Sequence, residues 1–133
     1  MRTTARETVF KILYASQFND ETEELKQSLF KIENLNKNDI EYCNGVLNAV
    51  ADNRQQLLAL IDEKSRQFPE VRMFPSDRSI LLIALAEILF IEDIPSAVSV
   101  NEAANIASKY SSEKSASFIS GILSEIIREQ GNV

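Results

Sequence analysis

The stretch from Ile80 to Ile91 (ILLIALAEILFI) is apolar on every helical face except at Glu87, and no other segment constrains the fold as much. It is too short to span a bilayer, which takes about 20 residues. A helix that is apolar all round must be surrounded by other elements, so the rest of the chain has to wrap it. The same reasoning singles out Glu87, because a carboxylate inside such a helix needs hydrogen-bond donors. We expect backbone N–H groups at a neighbouring helix start to supply them, in a structural role.

The surrounding segments also read as helices. Only 3 Gly and 3 Pro in 133 residues leave few breakers, and no segment sustains the period-two alternation of a strand. Thr3 to Phe18 places Val9, Ile12 and Leu13 on one face, with Thr3 or Thr4 as cap. Asp20-x-x-Glu23 resembles a capping box ahead of Leu25, Leu29 and Ile32. Asn34 to Asn38 reads as a loop, and Asn38-x-x-Glu41 opens a third helix lined by Ile40, Cys43, Val46, Leu47 and Val50. After a break at Asp52-Asn53, a fourth helix carries Leu57, Leu58, Leu60 and Ile61 to about Phe68. Pro69 and Pro75 bracket a linker, the natural place for a subdomain boundary. Ser76-Asp77 caps the apolar helix and Ile94-Pro95 ends it. Ser99-x-x-Glu102 forms a capping box for a sixth helix, and a serine-rich turn at Tyr110-Ser111-Ser112 precedes a last one. The expectation is an all-α chain of about seven helices with no sheet.

One internal echo stands out: Tyr42-x-x-Gly45-Val46-Leu47 and Phe118-x-x-Gly121-Ile122-Leu123. A glycine inside a helix costs about 1 kcal/mol relative to alanine, so each implies that another helix approaches closely.

Composition narrows the chemistry. With no His there is no Ser-His-Asp or Cys-His nucleophile pair, and one Cys without His cannot assemble a four-ligand zinc site. We therefore expect no catalytic residues, no metal and no cofactor. Cys43 lies on an apolar face and reads as a small core residue. It has no intrachain disulfide partner, which together with the lack of a signal-peptide pattern implies a reduced, cytoplasmic setting. Adjacent carboxylates such as Glu92 and Asp93 do not share a helix face and read as solvated surface.

The chain has 14 Lys and Arg against 20 Asp and Glu, a net charge of −6 that argues against bulk binding of nucleic acid. The charge is uneven, however. Arg2, Arg6 and Lys11 face only Glu7 in the first 18 residues, whereas residues 19–70 hold six cations against eleven anions. Arg2 and Arg6 are spaced to share a face, with Tyr14 two turns beyond Arg6, a combination able to follow a single strand by charge and stacking. The plainer reading is a solvated helix start with Tyr14 in the core. Near the other end, Lys109, Lys114, Ser115 and Phe118 cluster around a turn and a helix start suited to phosphate oxygens. The plainer reading there packs Phe118 inside.

Asp77 to Leu89, Asp93-Ile94-Pro95, Val100-Asn101-Glu102-Ala103 and Phe118-Ile119-Ser120-Gly121-Ile122-Leu123 follow one another in an order that closely resembles the carboxy-terminal signature of the NusB family of bacterial transcription antitermination factors. Ala5-Arg6-Glu7, Leu13-Tyr14, Gln17 and Gly45-Val46 extend it over nearly the whole chain. The resemblance implies one domain over residues 1–133 made of two packed helical bundles, at about 1–68 and 76–130. It implies an RNA-binding adaptor that pairs with NusE, takes boxA-type single-stranded RNA in nascent ribosomal-RNA transcripts and joins RNA polymerase, with no enzymatic step. By position, Arg2 and Arg6 would meet RNA phosphates, Tyr14 would lie near RNA and partner, and Ser115 and Phe118 would face RNA. Asp77 would help hold NusE.

Departures from the family pattern thin the basic surface. Thr3 and Thr4 stand where the arginine run often continues, Leu82 where Arg is usual and Ser120 where Asn is usual, while Lys114 occupies a position that can be acidic. The alternative reading is therefore a NusB-fold protein-interaction module with little RNA affinity. A third reading, the front domain of an RNA cytosine methyltransferase, finds no room for a catalytic domain before Val133. A homodimer that hides the RNA surface stays open, since no exposed apolar stripe decides it.

Overall fold

A computed structural model describes residues 2–19, 23–69 and 71–130. Among them are seven helices and no strand: α1 (Arg2–Ser16), α2 (Glu23–Ile32), α3 (Lys37–Asp52), α4 (Arg54–Ser65), α5 (Pro75–Phe90), α6 (Ser96–Tyr110) and α7 (Glu113–Glu129). The all-α expectation holds. None of these helices is long and apolar enough to cross a membrane.

Helix α5 is the axis of the molecule. Ser79 through Glu87 are all buried, and the helix packs against α1, α3, α4, α6 and α7. Its neighbours contribute Val9, Val46, Leu57, Ile61, Ile119, Ile122 and Ile126 to one continuous apolar cluster. The connection from Phe68 to Pro75 separates α1–α4 from α5–α7 along the chain, yet α5 packs on helices from both sides of it. Helices α6 and α7 form a tight pair joined through Ser111 and Ser112.

Several helix starts differ from the sequence expectation. Helix α3 is capped by Asn36, not Asn38: its Oδ1 accepts the Asp39 N–H at 2.8 Å. This is possible because Asn34 adopts the left-handed conformation (φ 52°) that turns the chain sharply after α2. Helix α5 begins at Pro75, which has no N–H to lose at the first position, and Asp77 reaches back to accept the Phe74 N–H at 3.1 Å. Helix α6 begins a full turn before Ser99, at Ser96 after Pro95, so Ser99 and Glu102 are free for tertiary contacts instead of capping. Thr3 and Thr4 lie within α1 and do not cap it, whereas Ser112 caps α7 through the Ser115 N–H. The Asp20 capping box lies outside the described residues.

The glycine echo is a correction. A Cβ on Gly45 would meet nothing within 4 Å, and one on Gly121 would only touch the Phe68 ring at 4.0 Å. No helix approaches either glycine closely. Both sit on exposed faces, while the aromatic residues of the same motif, Tyr42 and Phe118, are buried.

Candidate nucleic-acid interface

The first turns of α1 separate the two arginines that the sequence groups together. Arg6 is only 3% exposed, and its guanidinium holds Glu87 with Nε to Oε2 at 2.7 Å and Nη2 to Oε1 at 3.0 Å. The Tyr42 hydroxyl donates to Glu87 Oε2, and the Ser99 hydroxyl donates to Oε1 at 2.8 Å. Glu87 is thus satisfied by side chains from α1, α3 and α6, not by backbone amides at a helix start. Burial works against the Arg6 charge, but the paired Glu87 outweighs it and holds the guanidinium above its ordinary pKa. Burial, followed by the Glu87 charge, pushes the Tyr42 phenol far up, so it stays a donor. Arg6 Nη1 also lies 3.5 Å from Glu102, which accepts the Thr3 hydroxyl at 3.1 Å. The structure places Arg6, expected at the RNA phosphates, inside the fold on Glu87 and beside Glu102.

Arg2, one helical turn earlier, is exposed, and its guanidinium lies 4.3 Å from the centre of the Tyr42 ring. Further along α1, Glu7 accepts from Lys109 Nζ at 2.7 Å and from the Tyr110 hydroxyl at 2.7 Å, tying α1 to the end of α6. Partial burial raises the Glu7 pKa, but these two donors prevail and hold it below the ordinary 4.5. The Lys109 side chain stays 62% exposed despite the pair.

An aromatic row continues from there. The ring of Tyr110 stands 5.0 Å from Phe10, Phe10 stands 5.9 Å from Tyr14, and Tyr14 stands 5.3 Å from Phe18. Phe10 is buried, whereas Tyr14 is 40%, Tyr110 37% and Phe18 66% exposed. Gln17 then donates to the Pro75 carbonyl at 2.8 Å and the Ser79 hydroxyl at 2.6 Å, bringing the end of α1 to the start of α5. The plainer expectation of a core Tyr14 gives way to a half-open ring on this row.

The remaining sequence candidates divide by burial. Lys114 is exposed in the first turn of α7. Ser115 is buried, its N–H on the Ser112 cap and its Oγ 2.9 Å from Ser111 Oγ. Ser111, itself exposed, in turn donates to Asp77 at 3.4 Å, so the buried Asp77 and Ser115 are linked in one polar chain between α5 and α7. Both side chains lie beneath the surface and take part in these internal contacts. Phe118 is also buried, edge-on to Phe68 at 5.5 Å, so of its two roles the core one is realised. Cys43 is fully buried against the Ala5 carbonyl, and burial pushes its thiol up to about 12, as befits an inert core residue.

Sequence reasoning missed Glu7, Phe10, Tyr42, Tyr110 and Phe18 as parts of this surface. A signal was available for two of them: Phe10 and Phe18 recur with Tyr14 every four residues, which stacks aromatics on one helix face. Nothing in the sequence joins Tyr110 to Glu7.

Comparison with known proteins places this architecture. A model of the NusB family matches residues 3–128. The transcription antitermination protein NusB of Ruminiclostridium cellulolyticum is 37% identical over 127 residues, covering 94% of this chain and 87% of that protein. The structure of T. maritima NusB superposes with a TM-score of 0.84 at 30% identity, covering 97% of this chain and 92% of that one. A structure of antitermination factors NusB and NusE in complex with dsRNA has a TM-score of 0.84 at 24% identity, covering 96% of each chain, and shows the same fold.

Proposed function

This chain belongs to the NusB family, and we propose that it acts as an RNA-binding antitermination adaptor that pairs with NusE and takes boxA-type single-stranded RNA. The observation that carries this reading is the face built by α1 and the end of α6. There, the exposed Lys109 cation lies 5.4 Å from the centre of the half-open Tyr110 ring, Phe10 links that ring to Tyr14, and Arg2 is a further exposed cation at the start of α1. Charge follows a phosphate backbone, and open rings stack bases with little regard for sequence. Lys114 adds a cation at the start of α7, beyond the Ser111-Ser112 turn that follows Tyr110.

Arg6, Asp77, Ser115 and Phe118 support this surface from beneath. The polar chain from Asp77 through Ser111 to Ser115 sets the turn between α6 and α7, and Arg6 anchors α1 to α5. The acidic remainder of the chain suits a basic partner protein. Association with RNA polymerase then follows through the assembled complex. The reading involves no chemical step, and it favours a reduced, cytoplasmic location.

The second reading, an interaction module with little RNA affinity, draws on the burial of Arg6, which leaves the basic surface thinner than the sequence implies. Fluorescence anisotropy of a labelled boxA-type RNA and a scrambled control, with and without NusE, separates the two. The adaptor predicts a boxA preference that strengthens with NusE. NusE binding with no RNA preference supports the module.

A further inference from the structure

Arg2 and Arg6 both lie near the ring of Tyr42, at 4.3 Å and 5.5 Å from its centre, but only Arg6 is tied to carboxylates. The Tyr42 ring is itself immobilised: it is buried, and its hydroxyl donates to the same Glu87 that receives Arg6 and Ser99. Among the described residues no carboxylate pairs with Arg2. A guanidinium seated over a ring keeps its five N–H donors for another acceptor, whereas one in a bidentate carboxylate pair does not. A free arginine side chain also loses rotamer entropy when a ligand orders it, and seating it beforehand reduces that loss.

We infer that Tyr42 is the positioning residue for Arg2: its ring, locked by the Glu87 cluster, holds the exposed guanidinium in place for a phosphate. The inference rests on the RNA-binding reading above. It assigns a division of labour within the arginine pair. Arg6 builds the platform, Tyr42 is the platform, and Arg2 is the group presented. It also gives Glu87, in the middle of the central helix, an indirect hold on the RNA surface without touching it.

The test is a double-mutant cycle read by anisotropy on boxA-type RNA, with thermal melts as a fold control. Arg2→Ala and Tyr42→Leu should each weaken binding about two- to five-fold, the range of an exposed cation–π contact. The double variant should be no weaker than either single one, and Tyr42→Phe, which keeps the ring, should retain most of the affinity. Fully additive losses, or a folded Tyr42→Leu that binds like the parent, would overturn the inference. A readout on the unaltered protein covers the case in which Tyr42→Leu does not fold. In the NMR spectrum, Arg2 side-chain protons should show upfield ring-current shifts, and random-coil positions would overturn the seat. Absence of any RNA binding by the parent, with the ring-current shifts present, would instead sink the RNA-binding reading and leave the seat standing.

Discussion

Arg6 and Glu87 form a buried ion pair whose partners were each expected to do something else. The sequence offered Arg6 as a surface cation because its spacing from Arg2 is helical, and spacing alone does not say which side of a helix faces inward. The contradiction resolves through Glu87: an all-apolar helix with one carboxylate requires a donor, and the nearest strong donor on a packed helix is a guanidinium. Breaking such a pair from one side leaves an uncompensated buried charge, which costs about 3–5 kcal/mol. Arg6→Ala is therefore expected to lower Tm by on the order of 10 °C in a thermal melt, whereas Arg2→Ala should leave it nearly unchanged. Equal melts for the two would contradict the division.

Glu7 makes a different residue-scale prediction. Because its folded pKa lies below the ordinary 4.5, its contribution to stability is present above that value and is lost as pH falls through the lower folded value. Glu7→Gln keeps an acceptor for Lys109 and Tyr110 but removes the titration. A melt series from pH 6 downward should show a steeper fall for the parent than for Glu7→Gln, with the difference confined to the region below pH 4.5. Identical profiles would mean that the contact between α1 and α6 carries no charge dependence.

At the scale of elements, the helices were legible and their starts were not. Apolar periodicity identified the outer helices, each of which buries one stripe, and the unbroken apolar run identified α5, which is buried on all sides. Helix starts depend on which of several capping residues the tertiary structure leaves free. Ser99 and Glu102 match a capping box in sequence, yet they serve Glu87, Arg6 and Thr3. The glycines show the same limit. Gly45 was read as a close-packing position, but it faces open space in the middle of α3. Gly45→Ala should then stabilise the protein by roughly 0.5–1 kcal/mol, since it removes backbone freedom without meeting a neighbour. Chemical denaturation checks this, and destabilisation would restore the close-approach reading.

At the scale of the whole molecule, the central helix explains why the two sequence halves share a single core. We propose that the division at about residues 68 and 76 marks two bundles that nonetheless use α5 in common. The site was partly legible at this scale: the location of basic residues pointed to the start of α1 and the end of α6, and the structure joins these through Glu7 and Phe10. What the sequence could not supply was depth. Arg6, Asp77, Ser115 and Phe118 occupy motif positions but lie beneath the surface, which leaves Arg2, Lys109 and Lys114 as the exposed cations among the candidates. The net charge of −6 thereby limits how strongly the chain holds RNA by itself.

The most direct test is the salt dependence of boxA binding by the isolated protein. Three phosphate contacts at about −0.7 each predict a slope of log affinity against log salt near −2, shallower by about 0.7 in Arg2→Ala. A slope near zero, or one that Arg2→Ala does not change, would contradict the account.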